Sequence, residues 1–209
     1  MWAAIRPWLF PIWCIGCGEP GVGLCAACAA MTQPVAVNLD GLAVGAASDY
    51  EGVVRAAILA MKRGERAYLD PLAELVAPLV APGSVMIPVT TTRPRAAQRG
   101  FDQGRELAHR VAAIRSGTCD DVLIKHGAAQ RGRGRSERLE AASRFAVRRG
   151  ALVPSSAILL DDVLTTGATL HAAAAALAAA GCSVEGAVVV ARTPPGRETP
   201  RGGRWLVEA

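Results

Sequence analysis

The segment richest in chemistry runs Leu159-Leu160-Asp161-Asp162-Val163-Leu164-Thr165-Thr166-Gly167-Ala168-Thr169. An apolar strand delivers two carboxylates to its carboxyl end, and the turn that follows supplies hydroxyls, a glycine and successive backbone N–H groups at a helix start. Such a start is an anion site, because its unpaired N–H groups and the positive end of the helix dipole point the same way. Gly167 allows the backbone close to a phosphate, and Thr165, Thr166 and Thr169 can donate hydroxyl hydrogen bonds to it. Asp161 and Asp162, ionised at neutral pH, do not bind phosphate directly; they suit sugar hydroxyls, or magnesium through water. The plainer reading, a strand ending in acids before a threonine-capped helix, needs fewer polar groups than stand here.

Four of the six cysteines form a second constellation, Cys14-x2-Cys17-x7-Cys25-x2-Cys28. Two tight CxxC knuckles can place four thiolates tetrahedrally around a structural zinc, and a site filled by four protein ligands has no open position for catalysis. A disulfide framework would need an oxidising compartment, and a thioredoxin-like redox site would need only one CxxC beside a βαβ unit. Cys119, read in a loop, and Cys182, just after Gly181, stand alone and read as incidental thiols.

Stepping outward to composition, 51% hydrophobic and 20% charged residues over 209 positions suit one α/β domain with a small appendage and exclude disorder, collagen and coiled coil. The longest nearly unbroken apolar stretch, Ala172 to Ala180, is about half of the roughly 20 residues a membrane helix requires. No transmembrane span is expected. Met1 to Trp13, with Trp2, Trp8 and Phe10, is interrupted by Pro7 and Pro11 and reads as a packed element rather than a secretory leader, so a cytoplasmic location is expected. Net charge is +5, and residues 131 to 149 alone hold seven arginines against two glutamates. Lys62 and Lys125 are the chain's two lysines; every other basic residue is arginine.

The elements that must carry these groups follow from periodicity. Leu42 to Ala47 reads as a strand. Val53, Val54, Ala57, Ile58 and Met61 have helical spacing and stop at Gly64. A second helix runs Leu72 to Val80, after Pro71. Val85 to Val89 is a β-branched run leading into an arginine-rich loop with Arg93, Arg95 and Arg99, then a helix Gln103 to Ile114. Val122 to Lys125, Ala157 to Asp162, Val184 to Arg192 and Arg204 to Val207 are further strand candidates, with a helix Leu170 to Ala180 and a loop Gln130 to Arg138. Strands alternating with helices predict a doubly wound, mainly parallel sheet whose ligand sits at the carboxyl ends of the strands.

Residues 158 to 169 resemble the phosphoribosyl pyrophosphate (PRPP) motif of type I phosphoribosyltransferases. Taken with residues 14 to 28, Tyr50 to Gly64, Pro88 to Gln103 and Arg99-Gly100-Phe101, the chain resembles the ComF family, bacterial proteins named for competence in DNA uptake. That resemblance implies an N-terminal zinc knuckle over residues 1 to 40 and a phosphoribosyltransferase-like domain over 41 to 209. It implies that Thr165, Thr166, Gly167, Ala168 and Thr169 hold the 5-phosphate. Asp161 and Asp162 would be the catalytic carboxylates, facing the ribose hydroxyls and magnesium. Val89 and Thr90 would lie in the pyrophosphate loop, with Arg93, Arg95 and Arg99 suited to the diphosphate, although the first two equally suit a solvated basic loop. Lys62 falls where the family tends to have lysine, and equally suits an exposed helix position. Asp102 stands where the family has Asn, and Arg133 and Ala141 stand near its usual Leu and Asn. Hypoxanthine-guanine enzymes have a carboxylate where this chain has Thr165, which argues against that kind of purine salvage.

The implied function is PRPP binding, with transfer of phosphoribose to a nitrogen acceptor and release of pyrophosphate. The alternative is a non-catalytic accessory that binds single-stranded DNA beside other competence proteins. The arginines from Arg131 to Arg149 suit either DNA phosphates or closure over PRPP.

Overall fold

The structure, a computed structural model, describes residues 12–125 and 145–194, without the side chains of Arg93 and Arg95. The N-terminal tryptophans Trp2 and Trp8, the Gln130 to Arg138 loop and the strand read at Arg204 to Val207 lie outside the described residues.

Six strands form the main sheet: β1 (Val35–Leu39), β2 (Leu42–Asp49), β3 (Val85–Pro88), β4 (Thr118–Cys119), β7 (Ser156–Leu164) and β8 (Ser183–Arg192), in the order β1-β2-β8-β7-β3-β4. Only β1 is antiparallel to its neighbour; it forms a hairpin with β2 through Asp40-Gly41. A separate antiparallel pair joins β5 (Leu123–Lys125) to β6 (Phe145–Val147). The helices are α1 (Ala26–Ala29), α2 (Gly52–Lys62), α3 (Leu69–Val76), α4 (Arg93–Arg99), α5 (Gln103–Ile114) and α6 (Ala168–Ala179).

Helices cover both faces of the sheet. Ile58 and Met61 of α2, Leu72 of α3 and Leu107 and Val111 of α5 pack with Met86 and Leu160 on one face. Leu170 and Leu177 of α6 pack with Ile87, Leu159 and Val189 on the other, where Leu123 and Phe145 of the small sheet join them. Successive side chains on a strand point to opposite faces, so Leu159 and Leu160 each enter a different core. That two-sided burial is why β7 and β8 read as unbroken apolar runs rather than alternating ones. The described residues contain no helix long and apolar enough to cross a membrane.

Three readings need correction. The stretch read as an arginine-rich loop is the helix α4, with Pro94 in its first turn, where the missing proline N–H costs nothing. Asp161 and Asp162 do not end their strand: β7 continues to Leu164, which pairs with Arg192 of β8. Cys119 lies on β4, not in a loop, and half-buried there its thiol is pushed up to about 12 by burial and by the charges of Asp121 and Asp120.

Candidate functional site

Because β2, β8, β7 and β3 run parallel, their carboxyl ends share one edge, and the polar groups that follow each strand meet there. Between β3 and β7 this edge opens into a polar cleft of about 120 Å³ lined by Asp161, Asp162, Lys62, Lys125, Arg99 and Thr90, with Val89, Thr91 and Gln103 beside them. Asp161, Asp162, Val89, Thr90 and Arg99 are thus brought together. Thr165, Thr166, Gly167, Ala168 and Thr169 follow β7 directly and open α6 at the same edge, outside the cleft lining. Arg93 and Arg95 lie on α4, their side chains not described.

Strand alternation sets the roles of the two acids apart. Asp162 shares the side of Leu160, the face on which α2 lies, and Lys62 at the end of that helix places Nζ 2.8 Å from Asp162 Oδ2. Asp161 faces the other way, and its Oδ1 accepts a hydrogen bond from the Asp162 N–H at 2.8 Å. Burial and the Asp162 charge raise the Asp161 carboxyl to about 7, against the opposing pull of that N–H, Lys125 and Lys62. Its charge therefore changes near neutrality.

The other two cations are held differently. Arg99 Nη1 donates to Gln103 Oε1 at 2.6 Å, and the buried Gln103 donates through Nε2 to the Met61 carbonyl at 3.0 Å. Gln103 thereby fastens Arg99 to the end of α2. Lys125 Nζ lies 5.2 Å from the Phe145 ring centroid, over its face. Thr90 is buried and its hydroxyl donates to the Leu123 carbonyl at 3.4 Å, tying the loop after β3 to β5. Asp102 caps α5: its Oδ1 accepts from Arg105 N–H and its Oδ2 from Thr91 N–H, both at 3.1 Å. Burial still pushes the Asp102 carboxyl above its ordinary range.

At the start of α6 the N-cap residue is Gly167, with a left-handed backbone, φ +77°, and no side chain of its own to cap the helix. A Cβ there would come within 2.6 Å of Leu39 Cδ1, at the tip of the β1–β2 hairpin. Thr165, Thr166 and Ala168 are exposed, and the Ala168 N–H donates to Thr166 Oγ1 at 3.4 Å. With no acid in its first turn, this 12-residue helix presents an electropositive end to solvent.

A larger cavity, about 370 Å³, lies beneath β1, β2 and β8, but its lining is apolar apart from Glu185 and brings no set of polar groups together. Volume does not make it the better site.

The N-terminal cysteines form one cluster. The Sγ atoms of Cys14, Cys17, Cys25 and Cys28 all lie within 4.8 Å of one another, and Cys17 and Cys25 are 3.6 Å apart. A tetrahedral ion with sulfur bonds of roughly 2.3 Å needs edges of about 3.8 Å, so the cage has the donors and the size for such an ion. All six cysteines are free thiols. N–H groups of Cys17, Cys25 and Gly16 bring the Cys14 thiol down to about 6, whereas sharing protons with Cys17 and Cys25 drives Cys28 up to about 12. Four sulfurs this close could hold a metal ion between them. Gly16 is obligatory, since a Cβ would fall 2.7 Å from Cys28 Sγ. The knuckle is seated on the domain through Ile15, Val53 and Leu75.

Sequence reasoning alone did not single out Lys125 and Gln103 for the cleft. The available signal was compositional: the two lysines of an otherwise arginine-only chain both line it. Of the segment from Arg131 to Arg149, only the end is described, where Arg148 pairs with Asp121 at 3.2 Å; Arg131, Arg133, Arg135 and Arg138 lie outside the described residues. Compared with known proteins, the chain matches no family model and no curated protein.

Proposed function

We propose that this protein binds PRPP with magnesium at the carboxyl edge of its sheet and transfers phosphoribose to a nitrogen acceptor, in a fold of the type I phosphoribosyltransferase kind. The observation that carries the reading is the cleft itself: two carboxylates and three cations face one another near the carboxyl end of β7, a few residues before the start of α6. PRPP offers partners to all of these groups: hydroxyls to the acids and phosphates to the cations and N–H groups. Its 5-phosphate takes the N–H groups and hydroxyls from Thr165 to Thr169. Its ribose hydroxyls take Asp161 and Asp162, and its diphosphate takes Arg99, Lys125 and the Val89-Thr90 backbone.

Asp161 and Asp162 would hold magnesium, which would supply neutralisation of the diphosphate charge. In the reaction the bond from ribose C1 to pyrophosphate oxygen breaks, its electrons leaving with pyrophosphate, and one from C1 to the acceptor nitrogen forms, the nitrogen's proton passing to the departing pyrophosphate. The four-thiolate cluster is assigned a structural zinc that holds the N-terminal knuckle on α2 and α3.

Isothermal titration with PRPP and magnesium tests the site. Asp161→Asn combined with Asp162→Asn weakens binding at least tenfold if the acids hold ribose and metal; equal affinity in the double variant sinks the assignment. A pyrophosphate-release screen over bases and amines then identifies the acceptor.

A second reading, a single-stranded-DNA-binding accessory of DNA uptake working with competence proteins, is favoured by one observation, the run of seven arginines between residues 131 and 149. Competition separates the two: a loop that serves PRPP leaves DNA when PRPP and magnesium are added, whereas an independent DNA surface does not respond.

A further inference from the structure

We propose that Lys62 is a resident counter-cation of the acidic pair, holding Asp162 in the ligand-free protein and yielding it only when magnesium arrives together with a diphosphate. This deepens the PRPP reading and rests on it.

The three cations of the cleft are not equivalent. Arg99 is bonded to a neutral amide and Lys125 to an aromatic face, so both keep their full charge for an incoming anion. Among the described residues, Lys62 is the one of the three in an ion pair with a carboxylate of the cleft, 2.8 Å from Asp162, with 26% of its side chain and 20% of that of Asp162 exposed. At that depth water screens the pair weakly, and a divalent cation approaching Asp162 must displace or tolerate the ammonium.

The residue type suits an exchangeable partner. A lysine is a point charge on a flexible four-carbon stem, whereas an arginine fork is built to stay. Of 23 basic residues the chain spares lysine for two, and both face Asp161 and Asp162. Lys62 is also the last residue of α2, so its side chain can swing without moving the helix, while Gln103 anchors the neighbouring Met61 carbonyl in place. Released from Asp162, the ammonium stays within the same cleft, where a diphosphate is its natural new partner. Bare magnesium meets an occupied carboxylate, and magnesium with diphosphate meets one that can be freed.

The test compares two ligands on the full chain by isothermal titration, magnesium alone and PRPP with magnesium. For Lys62→Met the two affinities move in opposite directions: bare magnesium binds about tenfold tighter and PRPP with magnesium about tenfold weaker, the scale of losing one half-buried ion-pair partner. Lys125→Met makes the same change of charge in the same cleft. It weakens PRPP but tightens bare magnesium by less than Lys62→Met does, because its ammonium acts on Asp161 through space, without an ion-pair contact among the described residues.

Bare-magnesium affinity unchanged in Lys62→Met, or shifted equally in both variants, overturns the counter-cation role; Lys62→Gln repeats the test should the methionine variant fold poorly. The two readings fail separately. If wild-type protein binds PRPP and loses it on Asp161→Asn while Lys62→Met changes nothing, Lys62 is an ordinary helix residue in a valid PRPP site. If wild-type protein does not bind PRPP at all, the PRPP reading falls and the exchange role with it.

Discussion

Asp161→Asn should make the protein more stable, and increasingly so as pH rises. Burial and the neighbouring Asp162 charge raise the Asp161 carboxyl from 3.8 to about 7. The folded state therefore holds a proton that the unfolded chain gives up near pH 4. The sign follows: the stabilising share of this group is complete below its unfolded value and is lost as pH rises through its folded value. At 1.36 kcal/mol per unit, about three units amount to roughly 4 kcal/mol of lost stability in full, of which about 2 to 3 kcal/mol accrues between pH 5 and pH 8. Asparagine cannot ionise, and its amide oxygen can still accept the Asp162 N–H that bonds Asp161 at 2.8 Å. Urea unfolding of wild type and variant in half-unit steps from about pH 5 to 8 reads the difference directly, since titrations elsewhere in the chain cancel between the two. A stability gap that stays flat over that window, or a variant less stable at pH 8, refutes the buried-acid account of Asp161. A variant that gains stability while losing PRPP shows an acid kept for binding at a cost to the fold.

Freshly reduced protein should carry about one zinc per chain by elemental analysis, and Gly16→Ala should lose it to a chelator far faster than wild type, because the new Cβ falls 2.7 Å from Cys28 Sγ. Cys17→Ser should loosen the N-terminus to limited proteolysis while the sheet core keeps its protection. Gly167→Ala forces a left-handed residue against Leu39 and should cost about 2 kcal/mol in thermal unfolding as well as weaken PRPP. If Arg131, Arg133, Arg135 and Arg138 contact phosphates, single-stranded DNA affinity should fall with salt at a log–log slope near −3, from about four contacts at roughly 0.7 each; a salt-insensitive signal ends the DNA reading.

What could be read from the chain alone follows the range of the forces involved. The helix at Gln103 to Ile114 was legible to its ends because Asp102 caps it and its apolar residues keep a helical period. β7 and β8 were legible because burial on both faces writes a continuous apolar run. β1 was not, since Asn38 and the preceding Pro34 break up a short edge strand that one face of the sheet leaves exposed. β6 was missed because Phe145–Val147 means little until β5 is beside it. The α4 segment misled because Pro94 and its arginines look like a loop, although proline in a first turn disturbs nothing.

The site divides along the same line. Asp161, Asp162 and the turn after them announce themselves by type and spacing within a dozen residues. The Lys62 contact spans a hundred positions, and the link from Gln103 to the Met61 carbonyl spans 42, so neither leaves a local pattern. Only parallel strand order brings them together, since it puts the carboxyl ends of β3 and β7 side by side and lets α2 end against both. An acidic pair read from sequence thus looks open to any cation. In the folded chain one of its two carboxylates already has a partner, and selectivity between a bare metal and a metal carried by an anion arises at that contact.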